Sequence, residues 1–310
     1  MATVSAMSRR LTPALFALGL STLGCRTESP PEDAWGPFFT DASRLAALAA
    51  TPDLDLVHRD LAVVCPPGAN PSHRVGTASC SVSGIDGEGE LTPLDIDEVL
   101  FAQRLDPEHI LVGTTGLSLQ RLANDGTAQP VAQGVLDPRV ADDQRHAAWV
   151  ELVEPSTSYE LGADTRIVLW DAIDDERWVV SEDSRDSSPI PVPERREVLL
   201  VSRRSGLASY WLVGPQREPQ QLTNVGLTEM GEGFVPLHAG EFIWLPDGRH
   251  AVYSADYGEP ELWLLDLDEP GARRIGAGRM PMLRRGGGVL AVVGEGDGIE
   301  VVEYEAEVLQ

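Results

Sequence analysis

The sequence predicts an all-β protein, a β-propeller of five or six blades that follows an N-terminal signal segment and a short linker. Two observations lead to this fold class. The 310 residues include 30 Gly and 23 Pro, which interrupt helices and supply turns. Short hydrophobic runs also recur every 40 to 50 residues or so along the chain, roughly the length of one four-stranded propeller blade.

The composition limits the partners that the chain can bind. There are 49 Asp and Glu against 24 Arg and no Lys, so the formal net charge is −25. A phosphate backbone requires clustered cations, and an anionic membrane surface repels such a chain unless an anchor holds it. Hydrophobic residues make up 42% of the sequence, enough for a sizeable core, which excludes a disordered protein. We therefore predict no nucleic-acid partner.

Residues 1–24 are typical of a secretory signal peptide. Arg9 and Arg10 give a positive start, and residues 11–20 are uncharged and mostly apolar. That run is too short to span a bilayer core, which needs roughly 20 apolar residues.

The end of this segment, Ser21-Thr22-Leu23-Gly24-Cys25, resembles the lipobox of bacterial lipoproteins, in which the Cys is acylated. The resemblance implies lipid attachment at Cys25 and a place in the cell envelope, with Arg26 matching the outer-membrane default. The sequence departs from the family at Thr22, where Leu is usual. The alternative is an ordinary signal peptide with Cys25 near the cleavage site by chance.

The segment between the anchor and the body contains the remaining cysteines. Residues 25–34 are polar and Pro-bearing, which favours a disordered tether. Residues 35–97 are expected to contain a short helix at 41–48 and the loop between Cys65 and Cys80, and to form a first blade if there are six. In an oxidising compartment a disulfide between these cysteines would stabilise the fold by about 3 kcal/mol. Two free thiols are the alternative, since the spacing does not fit zinc.

The body, residues 98–310, is predicted to be the propeller. Five hydrophobic runs start 37 to 52 residues apart, at 110–113, 147–150, 198–201, 250–253 and 289–292. Each is followed by a second run richer in aromatic residues, at 117–122, 166–170, 209–213, 261–265 and 299–303. A β-sandwich would supply many strands but no repeated long unit.

One unit has a more specific pattern. Residues 242–254 read Phe-Ile-Trp-Leu-Pro-Asp-Gly-Arg-His-Ala-Val-Tyr-Ser, in which Pro presets φ and Gly takes a positive φ before the next strand. The unit resembles the repeat of TolB-type propellers, with Leu245 where that family has Ser. The matching positions are Trp244, Pro246, Asp247, Gly248, Arg249, Trp263 and Asp266. The resemblance implies a propeller fold and an interaction role in the envelope.

The sequence contains no recognisable catalytic motif. It lacks a Gly-x-Ser-x-Gly elbow and a phosphate-binding loop, and its six His residues show no metal spacing. Residues 86–90, Asp-Gly-Glu-Gly-Glu, alternate carboxylates as a calcium loop does but lack its sixth-position Gly, so a solvated turn is favoured. We predict no catalytic, cofactor or metal residues.

These observations predict a cell-envelope lipoprotein whose propeller is a non-catalytic binding or scaffolding module for a protein, peptide or glycan. The alternative is a carbohydrate-active hydrolase or lyase that uses carboxylates in the propeller mouth. A mouth with clustered carboxylates beside a His or Arg would favour the enzyme. A mouth lined by apolar and mixed polar residues would favour binding.

Overall fold

The computed structural model describes residues 61–64, 81–85, 91–94, 96, 98–156, 162–223, 242–256, 259–269, 271–283, 288–294 and 300–305. The chain divides into Met1–Pro31 and Glu32–Gln310, and every described residue falls in the second unit. The signal segment, Cys25, the helix expected at 41–48, Cys65 and Cys80 lie outside the described residues. The described residues form 22 strands and no helix, so this part of the chain contains no long apolar helix of the kind that crosses a membrane.

Five antiparallel sheets form the blades of a propeller. Blade 1 consists of β4 (Val99–Asp106), β5 (His109–Thr114), β6 (Ser118–Ala123) and β7 (Ala128–Gln133). Blade 2 consists of β8 (Val135–Val140), β9 (His146–Leu152), β10 (Thr165–Asp171) and β11 (Glu176–Ser181). Blade 3 consists of β12 (Asp186–Pro191), β13 (Val198–Ser202), β14 (Ser209–Gly214) and β15 (Arg217–Gln221).

The remaining sheets lie at the two ends of this series. Blade 4 consists of β16 (Phe242–Trp244), β17 (His250–Asp256), β18 (Pro260–Asp266) and β19 (Ala272–Ala277). Three strands of blade 5 are described, β20 (Arg279–Leu283), β21 (Val289–Val293) and β22 (Glu300–Tyr304). A further three-stranded sheet precedes blade 1, with β1 (Leu61–Val64), β2 (Ser81–Ile85) and β3 (Leu91–Leu94).

The five hydrophobic runs and their five aromatic-rich partners are confirmed as strands. The first set corresponds to β5, β9, β13, β17 and β21, the second strand of each blade. The second set corresponds to β6, β10, β14, β18 and β22, the third strand of each blade. The described residues therefore form a propeller of five blades, the lower of the two numbers that the sequence allowed.

The first strands of the blades lie on the inside of the propeller. Contacts join β4 to β8, β8 to β12, and β16 to β20. The fourth strands, β7, β11, β15 and β19, are the most exposed of their sheets. Because each sheet runs outward from its first strand, the turns between first and second strands surround one mouth of the propeller.

Hydrophobic side chains between successive sheets hold the blades together. Separate buried clusters join blade 1 to blade 2, blade 2 to blade 3, blade 3 to blade 4, and blade 4 to blade 5. Aromatic rings fill two of these interfaces, with Trp149 and Trp170 at 6.3 Å and Tyr210 and Tyr253 at 5.6 Å between ring centroids. Leu61 and Val82 of the preceding sheet pack on blade 1 in the same manner.

The register of the preceding sheet bears on the predicted disulfide. Val64 pairs with Ser81 in the antiparallel β1–β2 ladder, and Cys65 and Cys80 are the next residues on each side. Both cysteines lie outside the described residues, so the disulfide between them stays a prediction.

We therefore expect the Cys25→Ser variant to show no free thiol in Ellman titration when it is unfolded without reductant. Reduction before the titration should release two thiols, because Cys65 and Cys80 are then the only cysteines left. Two thiols in the unreduced sample would contradict the disulfide.

Candidate functional site

The turn between β16 and β17 contains the Pro-Asp-Gly sequence. Gly248 has φ 63°, the positive value expected of it, and its N–H donates to the Leu245 carbonyl at 3.0 Å. Asp247 Oδ1 accepts the backbone N–H groups of Arg249 and His250, both at 2.9 Å. Nδ1 of His250 lies 2.6 Å from Asp247 Oδ2. One carboxylate thus fixes both the backbone of the turn and the imidazole that follows.

The Arg of this motif ties the turn to the third strand of its blade. Arg249 binds Asp266, the last residue of β18, through Nε at 2.8 Å and a terminal nitrogen at 2.5 Å. Hydrogen bonding from Arg249 lowers the pKa of Asp266 to about 2. Trp263 lies elsewhere in the same strand, where it packs between blades 3 and 4 and donates to Glu261 at 3.2 Å.

Blade 2 repeats this arrangement without the Pro-Asp-Gly sequence. Asp143 Oδ1 accepts the N–H groups of Arg145 and His146 at 2.9 and 3.0 Å, and Oδ2 lies 2.6 Å from Nδ1 of His146. Gln144 stands where blade 4 has Gly and has φ 57°. Arg145 binds Asp171 through Nε at 2.8 Å and through a second nitrogen. This turn was not predicted from the sequence, although the order Asp-x-Arg-His is the same in both blades.

The turn of blade 2 also reaches two other blades. Asp143 Oδ2 accepts the N–H of Glu194 in blade 3 at 2.7 Å. Asp142 Oδ2 accepts the N–H of Trp244 in blade 4 at 3.3 Å. The Trp244 indole N–H in turn donates to the Pro191 carbonyl at 3.0 Å. These bonds fix the separation of three blades at the mouth.

A pocket of about 360 Å³ lies among these turns. Its apolar lining comes from Pro193, Ile243, Trp244, Leu245, Pro246, Met282 and Leu283. Its acidic lining comes from Asp142, Asp143, Glu194 and Asp247. The described lining residues include no Arg or His. The mouth therefore combines an apolar surface from blades 3 to 5 with four carboxylates from blades 2 to 4.

The carboxylates of the turns are held in their ionised form. Burial alone would raise the pKa of Asp143, but hydrogen bonds from His146 and from three backbone N–H groups lower it below its usual value. The pKa of Asp247 is lowered in the same way by His250 and Arg249 against the effect of burial. Among the described residues, no group of three or more His, Cys, Asp or Glu could hold a metal ion.

The two Arg–Asp pairs predict a loss of stability in acid. Burial raises the pKa of Asp171, but hydrogen bonds from Arg145 and backbone N–H groups outweigh it, so its pKa, like that of Asp266, is about 2. Both values lie below the ordinary 3.8, so the stabilisation is present above pH 4 and is lost as the pH falls toward 2. Each pair contributes at most about 2 kcal/mol to that loss.

Denaturant unfolding between pH 5 and pH 2.5 measures this dependence. In the Arg249→Met variant the free energy of unfolding should fall less steeply as the pH is lowered, because the pKa of Asp266 returns toward its ordinary value. Arg177, which lies 5.9 Å over the Trp149 ring, supplies the matched control. An unchanged slope in Arg249→Met, or an equal change in Arg177→Met, would contradict the assignment.

The fold of this chain is similar to the folds of several solved structures. TolB from Acinetobacter baumannii has a TM-score of 0.51 and 13% identity, over 77% of this chain and 60% of that chain. The fold is that of a TolB-like β-propeller. A putative TolB from Agrobacterium tumefaciens has 17% identity and a TM-score of 0.47, over 66% of this chain and 75% of that one. An oligogalacturonate lyase from Vibrio parahaemolyticus has 13% identity and a TM-score of 0.49, over 78% of this chain and 74% of that one.

The likeness to the Acinetobacter TolB shows the propeller fold and not an activity. At such identities the likeness shows the fold alone, and the chain matches 60% of the length of the Acinetobacter TolB. No family model matches the sequence, and no curated protein matches it. The sequence-based prediction of a TolB-like propeller is confirmed. The roles of Cys25, Cys65 and Cys80 stay predictions, since these residues lie outside the described part.

Proposed function

We propose that this TolB-like propeller is a cell-envelope lipoprotein that binds a protein, peptide or glycan partner through the mouth pocket, without catalysis. The observation that carries the proposal is the mixed lining of that pocket. Apolar side chains that are at least partly exposed, Pro193, Pro246 and Leu283, provide contact area, and the carboxylates around them provide orientation and specificity. Loops from several blades converge there, as in other binding sites built on rigid scaffolds.

The hydrogen bonds of the carboxylates favour binding over catalysis. A glycoside hydrolase needs a carboxylic acid of raised pKa to protonate the leaving oxygen. The pKa values of Asp143 and Asp247 are lowered instead, and both carboxylates bind their own turns. An acidic sugar would also be repelled by four carboxylates with no Arg or His among the described lining residues. A hydrolase or lyase stays the alternative because these carboxylates do lie in the mouth.

The sequence supports the proposed anchor. Acyl chains on Cys25 would supply the membrane affinity that a chain of net charge −25 lacks. The polar residues 26–33 would act as the tether, and like charge would hold the body away from an anionic surface. Metabolic labelling with an alkyne fatty acid should mark the wild-type protein but not the Cys25→Ser variant. Equal labelling of both would contradict lipidation at this residue.

Capture of the partner from membranes by the intact lipoprotein tests the binding role. Pro246 is exposed at the edge of the pocket, so Pro246→Trp should obstruct the mouth. Pro155 is also exposed, but it follows the end of β9 that lies away from the mouth, so Pro155→Trp is the matched control. We expect a partner that co-purifies with wild type and the control but not with Pro246→Trp. Equal capture by all three, or turnover of a glycan library by wild type, would contradict the proposal.

A further inference from the structure

We propose that the mouth pocket binds a basic side chain of a peptide, preferably Arg, with its charged end at the carboxylates and its aliphatic stem on the apolar lining. The inference rests on the proposed binding function and names the chemistry of the ligand. It commits to a peptide because the pocket holds about 360 Å³, which fits one or two side chains and not a folded domain.

The charge of the pocket is the first argument. Asp142, Asp143, Glu194 and Asp247 all line it. The Arg residues of the two Asp-x-Arg-His turns do not neutralise these carboxylates, because each is bound to another Asp. Arg145 binds Asp171, and Arg249 binds Asp266. A concave site with low-dielectric walls and one sign of charge concentrates its potential, so it attracts a cation and excludes an anion.

Glu194 is the carboxylate best placed to meet a ligand. Its side chain is exposed and has no ion pair with any described residue, while its backbone N–H is fixed by Asp143 at 2.7 Å. Asp247 is about half exposed, so its oxygens also face solvent while they accept bonds from the turn. An arriving cation therefore meets one carboxylate that no described cation pairs with and one partly exposed carboxylate.

The apolar lining is the second argument. Pro246 is exposed and Pro193 and Leu283 are partly exposed, so the lining offers an apolar surface beside the carboxylates. A bare inorganic cation gains nothing from such a surface, whereas the methylene stem of a basic side chain does. Arg is favoured over Lys because guanidinium is more weakly hydrated and bonds a carboxylate with two parallel N–H groups.

An immobilised peptide library tests this inference. The flanking residues are random but uncharged, and the central residue is Arg, Lys, citrulline or Glu. Citrulline keeps the shape of Arg without its charge. We expect about tenfold tighter binding for Arg than for citrulline, with Lys between them and Glu unbound. The preference should weaken from 50 to 500 mM salt.

Two protein variants of equal net charge separate the pocket from the general acidity of the chain. Glu194→Gln should weaken Arg binding several-fold. Glu154 is exposed and lies beyond the far end of β9, roughly 20 Å from the His146 end of that strand, so Glu154→Gln should leave binding unchanged. Equal loss in both variants would mean that the attraction is nonspecific and would overturn the proposal.

The remaining outcomes are also decisive. No preference for Arg over citrulline, or no binding to any library member, overturns the basic side chain as ligand. If partner capture is still lost only in Pro246→Trp, the binding function stands and the ligand class is wrong. If capture also fails to depend on Pro246, the proposed function fails with it.

Discussion

Replacing Trp244 with Ala is expected to lower the free energy of unfolding by about 3–5 kcal/mol. The side chain is 4% exposed and packs in the cluster between blades 3 and 4, with its ring centroid 5.1 Å from that of Phe242. Its indole N–H also donates to the Pro191 carbonyl. The substitution therefore leaves a cavity and removes the indole donor from a buried carbonyl at the interface of two blades.

Denaturant unfolding followed by far-ultraviolet circular dichroism measures this effect. Trp244→Phe keeps most of the ring but loses the donor to Pro191, so a smaller loss of about 1–3 kcal/mol is expected. Trp263 packs against the same cluster from a half-buried position, so Trp263→Ala is the milder comparison. A loss below that of Trp263→Ala would contradict the role of Trp244 at the interface.

The strands that the sequence predicted correctly are the central ones of each blade. β9 and β13 are buried along nearly their whole length, so their residues form continuous apolar runs. The outer strand β15, Arg-Glu-Pro-Gln-Gln, is mostly exposed and contains Pro, which an edge strand tolerates. Such a segment has the composition of a loop, and it becomes a strand only because β14 offers its edge.

The turn of blade 2 shows a different limit. The Pro-Asp-Gly sequence predicted only the turn of blade 4, yet in blade 2 Gln144 adopts a positive φ in the position of Gly248. The hydrogen bonds from the backbone to Asp143 specify this turn, as those to Asp247 do in blade 4, so the turn depends on the Asp and not on Gly. The order Asp-x-Arg-His with a distant Asp partner, Asp171 or Asp266, would have been the better signal.

The pocket could not be predicted from the sequence. Its lining extends from Asp142 to Leu283 along the chain, and these residues meet only because the blades pack side by side. The composition did predict an acidic surface, but not which carboxylates bind Arg and which lie open. Local spacing contains no information about that division, which is set by contacts such as Asp142 with Trp244, 102 residues apart.

Asp186 is a carboxylate that pairs with an Arg, and removing that Arg is expected to cause the second large loss of stability. This side chain is fully buried at the start of β12, where its Oδ2 accepts the Ser181 hydroxyl at 2.6 Å and binds Arg204. The Arg204 guanidinium lies 5.0 Å over the Trp211 ring. Arg204→Ala is expected to lower the free energy of unfolding by about 3–5 kcal/mol, because it leaves a buried carboxylate without its cation.

Two comparisons show whether the unpaired charge is the cause. Arg185 pairs with Asp183 beside this site but is 56% exposed, so Arg185→Ala should destabilise the protein far less than Arg204→Ala does. The double variant Asp186→Asn with Arg204→Met removes the charge with its partner, so it should be more stable than Arg204→Ala alone. If the double variant were equally unstable, the loss would come from packing against Trp211, and the buried ion pair would not be what Arg204 contributes.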